Sequence, residues 1–202
     1  MNQHEQDLKH IREMMEKSSR FISLSGISGI FAGVTALIAS GIVYLMMQSY
    51  QIDYLAPRRS YPLELIIELM VVAAVTLIIA IGGGIFFTYQ KSKKVKQPIW
   101  NTTSKNIIKN SGLVLVTGGL FCLILLFHQI YYLIAPCTLI FYGLSLVIGS
   151  QYTYGDVKYL GICEIVLGLT ASIFTGYGLV FWALGFGILH IVYGFIMHKK
   201  YQ

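Results

Sequence analysis

Residues 157–198 read VKYLGICEIVLGLTASIFTGYGLVFWALGFGILHIVYGFIMH, two apolar runs folded back on each other at Gly176-Tyr177-Gly178. The first run carries Glu164 and the second carries His190. An ionisable side chain inside an apolar helix is expensive and defaults to a functional hypothesis. Each is flanked by glycines, in Gly161-x2-Glu164-x3-Gly168 and Gly187-x2-His190-x3-Gly194. Neighbours three and four residues apart share a helix face, so each ionisable residue projects from a glycine-lined face. A turn at Tyr177 puts Gly161 level with Gly194, Gly168 level with Gly187, and Glu164 level with His190. The hairpin therefore predicts polar contact between Glu164 and His190, directly or through one water. Such a pair either locks helix register or, by titrating, switches it.

The same reading extends outward. Of the 202 residues, 55% are hydrophobic and 12% charged, against about 25% charged in ordinary soluble domains. Several windows of about 20 residues are nearly free of charge, the length that spans a bilayer as helix. Continuous rather than alternating apolar runs exclude a porin-type barrel. The expected fold is an all-α polytopic membrane protein with six transmembrane helices in three hairpins, at about 21–90, 106–149 and 157–198. Residues 1–20 precede them as an amphipathic cytoplasmic leader helix, with Leu8, Ile11 and Met15 on one face and a Glu13–Lys17 pair on another. That leader has no short apolar core and no small-residue cleavage site, so it is not read as a signal peptide.

Charge fixes the threading. Thirteen of the fifteen Lys and Arg residues fall in the leader, the 91–109 segment, Lys158 and the C-terminus, and only Arg58 and Arg59 fall on the other side. This asymmetry places both termini in the cytoplasm. The same placement argues against nucleic acid as a partner, despite a net charge of +6. On the outer face Arg58 and Arg59 are close enough in sequence to neutralise Glu64 and Glu68, one turn apart at the start of the second span. Lys91 to Lys109 is the most basic segment, suited to anionic headgroups, with Trp100 as an interface anchor.

The odd-numbered spans align without gaps: SGISGIFAGVTALIA (25–39), SGLVLVTGGLFCLIL (111–125) and LGICEIVLGLTASIF (160–174). Gly26, Gly112 and Gly161 coincide, as do Gly33, Gly119 and Gly168. In the partner spans Tyr142-Gly143 matches Tyr193-Gly194, with Gly84 a weaker counterpart. Glycines seven apart favour close, shallow crossings, so these positions and Gly187 and Gly194 are read as helix-packing sites. With its Gly-x6-Gly spans, short hairpins and N-in topology, the chain resembles the HdeD-type acid-resistance membrane proteins, over 107–198 especially. The leader IREMMEKSSRFISLSGISGIFAGVTALI (11–38) is similar to a family of uncharacterised bacterial six-span proteins often encoded beside a winged-helix regulator. These resemblances imply the bacterial inner (cytoplasmic) membrane and a stress-linked or regulatory role.

Enzyme chemistry finds no foothold. No GxSxG, HExxH, Walker or GxGxxG motif occurs, and Gly82-Gly83-Gly84 is not followed by Lys-Ser/Thr. Cys122, Cys137 and Cys163 match no metal spacing. His128 and His190 lie at different depths, against a haem between them. No catalytic residue, metal or cofactor is expected. Two function classes follow. One is a non-enzymatic regulatory or assembly module in which Glu164 and His190 lock or switch the last hairpin. The other is a small-solute or proton-coupled transporter whose path the pair lines. The expected partners are the lipid bilayer, further copies of the chain and a cytoplasmic regulator protein.

Overall fold

The computed structural model describes residues 26–52, 61–95 and 100–201. The leader helix, Arg58 and Arg59 lie outside them. Among the described residues there is helix and no strand. The elements are α1 (Gly26–Ser49), α2 (Leu63–Val95), α3 (Thr102–Phe127), α4 (Ile134–Gly149), α5 (Asp156–Ile173) and α6 (Gly178–Tyr201). A 3₁₀ turn, Tyr131–Leu133, leads into α4. Five of the described helices are long and apolar enough to cross a membrane. The exception is α5, whose 18 residues include Asp156, Lys158 and Glu164.

Helix ends follow local chemistry. Asn101 caps α3: its Oδ1 accepts the Ser104 amide at 2.8 Å, while the Ser104 hydroxyl accepts the Asn101 amide at 2.9 Å. This reciprocal box satisfies two otherwise unpaired donors. Between α5 and α6 the chain turns at Gly176, whose φ of 105° suits a residue without a Cβ.

Close backbone packing sets which helices neighbour which. The contacts run α2, α1, α6, α5, α4, α3, leaving an open ring whose ends are α2 and α3. The tightest seams join α4 to α5 and α1 to α6. A Cβ on Gly161 would fall 2.7 Å from the Gly143 carbonyl oxygen, and one on Gly168 would fall 2.9 Å from that of Pro136. On the other seam, a Cβ on Gly194 would fall 2.6 Å from the carbonyl oxygen of Gly26, and one on Gly33 would fall 2.6 Å from that of Gly187. Gly161 and Gly194, and Gly168 and Gly187, are read as level with each other, yet they do not pack on each other. Each glycine meets a helix outside its own hairpin, because the backbones can approach closest where glycine faces a bare carbonyl. The α5–α6 hairpin is correspondingly the loosest of the three.

Two further glycine assignments change. Gly112 and Gly119 have nothing within 4 Å of a Cβ position; Gly118 is the residue on α3 that packs closely, against Phe141 of α4. In the α2 triplet Gly83 receives the ring of Phe31, while Gly82 and Gly84 face open space.

Candidate functional site: a buried Glu–His–Tyr cluster

Glu164 projects from the middle of α5 and is 0% exposed. His190 opens the last α-helical part of α6 and is 5% exposed. His190 Nδ1 stands 3.4 Å from Glu164 Oε1. The shorter contacts of the imidazole lie elsewhere: Nδ1 is 3.0 Å from the carbonyl oxygen of Gly185, and Nε2 is 2.8 Å from the hydroxyl of Tyr142 on α4. A carbonyl only accepts, so Nδ1 carries a proton. In the neutral imidazole Nε2 then accepts, and Tyr142 donates to it. A second proton on the ring would reverse that bond, turning Nε2 into the donor and Tyr142 into the acceptor. Three helices thus meet at one titratable ring.

Both oxygens of Glu164 are buried without a hydrogen-bond partner among the described residues. An unpaired buried carboxylate costs several kcal/mol (order of magnitude). The arrangement therefore accommodates either a carboxylic acid beside neutral imidazole or a carboxylate beside an imidazolium whose second proton sits on Nε2, the nitrogen that faces Tyr142.

The local fold makes room for this group. Residues Ala183–Leu189 of α6 are π-helical, a wider winding that is rare and recurs at functional sites. Within it lies Gly185, where an added Cβ would collide with Glu164 Oε2 and Leu139. The missing side chain is thus the space the carboxyl group fills. Around the imidazole, Phe186 stacks at 5.9 Å between centroids, and Tyr142 lies 4.9 Å from Phe186. Tyr142 and Gly185 were not singled out as site residues by sequence. The Tyr142-Gly143 landmark was visible only as a repeat feature, and nothing in Gly185-Phe186-Gly187 announces a π-helical winding.

Other predicted residues fall apart from this cluster. Glu64 and Glu68 are exposed at the start of α2, and Glu68 Oε1 accepts the Tyr50 hydroxyl at 3.2 Å. Their proposed neutralisers, Arg58 and Arg59, lie outside the described residues. Desolvation, followed by the nearby Glu68 charge, holds the Tyr50 phenol above its ordinary pKa. His128 caps the far end of α3, exposed and away from His190. The three cysteines are free thiols.

At the ends of α5 and α6 away from the Gly176 turn, Asp156 at the start of α5 accepts from Lys200 Nζ at 2.9 Å and from the Tyr201 hydroxyl at 2.8 Å. This clasp ties the beginning of α5 to the end of α6. A separate cavity of about 460 Å³ occupies the other half of the bundle, walled by parts of α1, α2, α3, α4 and the start of α6. Glu164, His190 and Tyr142 are not among its walls. No protein-family model matches the chain, and neither a curated protein nor a solved structure does.

Proposed function

We propose that the protein is a non-enzymatic module of the bacterial inner membrane, stress-linked or regulatory, in which Glu164 and His190 lock or switch a six-span bundle with both termini in the cytoplasm. The observation that carries this reading is the complete enclosure of Glu164, 0% exposed and shut off from the 460 Å³ cavity. A carrier needs a wet path to its coupling group, whereas a switch needs a titratable group whose proton is coupled to packing. Here the proton position on His190 dictates which way Tyr142 bonds, and so couples α4, α5 and α6.

The sixth span in this reading is α5. Its 18 residues, at about 1.5 Å each, approach the roughly 30 Å of a bilayer core. Asp156 and Lys158 sit at its first turn, and Glu164 is hidden by neighbours rather than offered to lipid. The resemblance to HdeD-type proteins supplies the stress-linked component, the resemblance carried by residues 11–38 supplies a cytoplasmic regulator as partner, and further copies of the chain are the other partner proposed. The three-hairpin repeat belongs to the same proposal. It is supported by the way Gly26 and Gly33 on one seam play the parts of Gly161 and Gly168 on the other.

Flux across proteoliposomes tests the choice of class. With a pH-sensitive dye inside, wild type and Glu164→Gln are expected to leak protons alike, at the rate of empty vesicles. Wild-type flux that disappears in Glu164→Gln would make the protein a carrier.

A further inference from the structure

The two tight seams use matching residues in matching places. Ile30 flanks Gly194 where α1 meets α6, and Ile165 flanks Gly143 where α5 meets α4. Ile191 covers Gly33 on the first seam, and Ile140 covers Gly168 on the second. The sequence alignment assigns the third set of these positions to α2 and α3: Gly84 and Ile81 on one, Gly112 and Gly119 on the other. Among the described residues, none of those three glycines has an atom beyond its own helix within 4 Å of its Cβ position, and Ile81 is 54% exposed. Where two seams are closed backbone to backbone, the third is a slot.

The 460 Å³ cavity lies further along the same two helices, walled by Ala73 and Thr76 of α2 and by Cys122 and Leu126 of α3. Gly119 lies one heptad from Leu126, a cavity wall, and Gly84 lies three turns along from Ala73, another wall. The volume falls in the range of small-ligand pockets, about 300–1,000 Å³. Among the described residues no Asp, Glu, Lys, Arg or His lines it. Its Ser and Thr hydroxyls are already spent on their own helices: Ser40 donates to the Ala36 carbonyl, Thr76 to that of Val72 and Thr138 to that of Ala135. Most of the wall is aliphatic, with Tyr61, Tyr131, Tyr132 and Trp182 as its polar-tipped side chains, so an occupant is recognised chiefly by shape and apolarity. Among the described residues α2 packs on α1 and α3 on α4, while α2 and α3 form no seam with each other, so in a bilayer the gap between them would open sideways, toward hydrocarbon.

We propose that this slot is a binding site for the acyl chain of a membrane lipid, entered laterally between α2 and α3. The inference rests on the membrane-spanning reading above. It also gives that reading an input. Trp182 forms part of the cavity wall and packs 5.0 Å from Phe186, which stacks on His190. A chain lodged against Trp182 therefore presses on the ring stack that holds the buried cluster.

Trp182 reports occupancy directly. The chain has two tryptophans, and Trp100→Phe leaves Trp182 alone. The detergent-solubilised full chain is titrated with phosphatidylcholine brominated at mid-chain. A saturable loss of at least about half the Trp182 emission is expected, and it is expected to vanish in Ala73→Phe and in Ala39→Phe, which fill the space from opposite walls. Quenching that never saturates, or that persists in whichever of these variants folds, overturns the site. A second arm places Gly84→Cys and Gly112→Cys in a chain whose native cysteines are replaced by Ser. No disulfide is expected in native membranes. A disulfide within one chain would mean the slot closes on itself, and one between chains would mean a second copy fills it; either overturns the proposal. Release of the protein from membranes by alkaline carbonate would refute the spanning reading itself, whereas unquenched Trp182 in an embedded chain refutes only the lipid site.

Discussion

His190 approaches Glu164 to 3.4 Å yet directs its Nδ1 proton at the carbonyl of Gly185, 3.0 Å away. The imidazole is held by α6's own backbone and by Tyr142, and the carboxyl group rests beside it without a hydrogen bond of its own. The ring is therefore the member of the pair held by two polar contacts, and the carboxyl group is the member without one.

That division predicts unequal mutational costs. Glu164→Gln keeps the shape and the neutral form, and is expected to shift thermal unfolding in detergent by less than about 1 kcal/mol. Tyr142→Phe leaves Nε2 of a buried ring without its donor, and is expected to cost about 1–3 kcal/mol. Thermal melts of the two variants check the order; a larger loss for Glu164→Gln would show that the carboxyl group holds the bundle.

The glycine seams give a second contrast. Gly194→Ala puts a methyl 2.6 Å from the Gly26 carbonyl oxygen, and backbone cannot give way cheaply, so a loss of about 1–3 kcal/mol is expected. Gly119→Ala enters open space and gains helix propensity, at most about 1 kcal/mol. Equal melting points for both variants would contradict the assigned seams.

Labelling decides whether α5 crosses. In a chain without native cysteines, Tyr177→Cys at the exposed α5–α6 turn is expected to react with an impermeant thiol reagent from outside intact cells. Gln151→Cys and Lys105→Cys, both at exposed positions, are expected to react only after permeabilisation. Protection of Tyr177→Cys would reduce the spans to five and move the C-terminus outside.

The Asp156 clasp gives a further contrast. Its carboxylate accepts from Lys200 Nζ at 2.9 Å and from the Tyr201 hydroxyl at 2.8 Å, and a pair this open to solvent is worth about 0.2–1 kcal/mol. Thermal melts of Asp156→Ala in detergent are therefore expected to show a loss of about that size, and one that shrinks as salt is added. A melting point unchanged at low salt would count against the clasp.

Sequence by itself determined that the chain is built of long apolar helices and where the last hairpin turns, because apolar run length and Gly-Tyr-Gly are properties of the chain read locally. It also determined that Glu164 and His190 belong to one level, since a turn near Tyr177 fixes depth in both arms. Depth does not fix partners. Glycine faces such as Gly161/Gly168 and Gly187/Gly194 are interchangeable in one dimension, and any of them fits against any other. Which seam forms depends on where a bare carbonyl and a flanking Ile coincide, and that is known only when all the helices are packed. For this reason Gly161 met Gly143 rather than Gly194. The π-helical turn that admits the Glu164 carboxyl, the Tyr142 hydroxyl on His190 and the slot between α2 and α3 are likewise products of packing between segments far apart in sequence. Tertiary structure alone decided them.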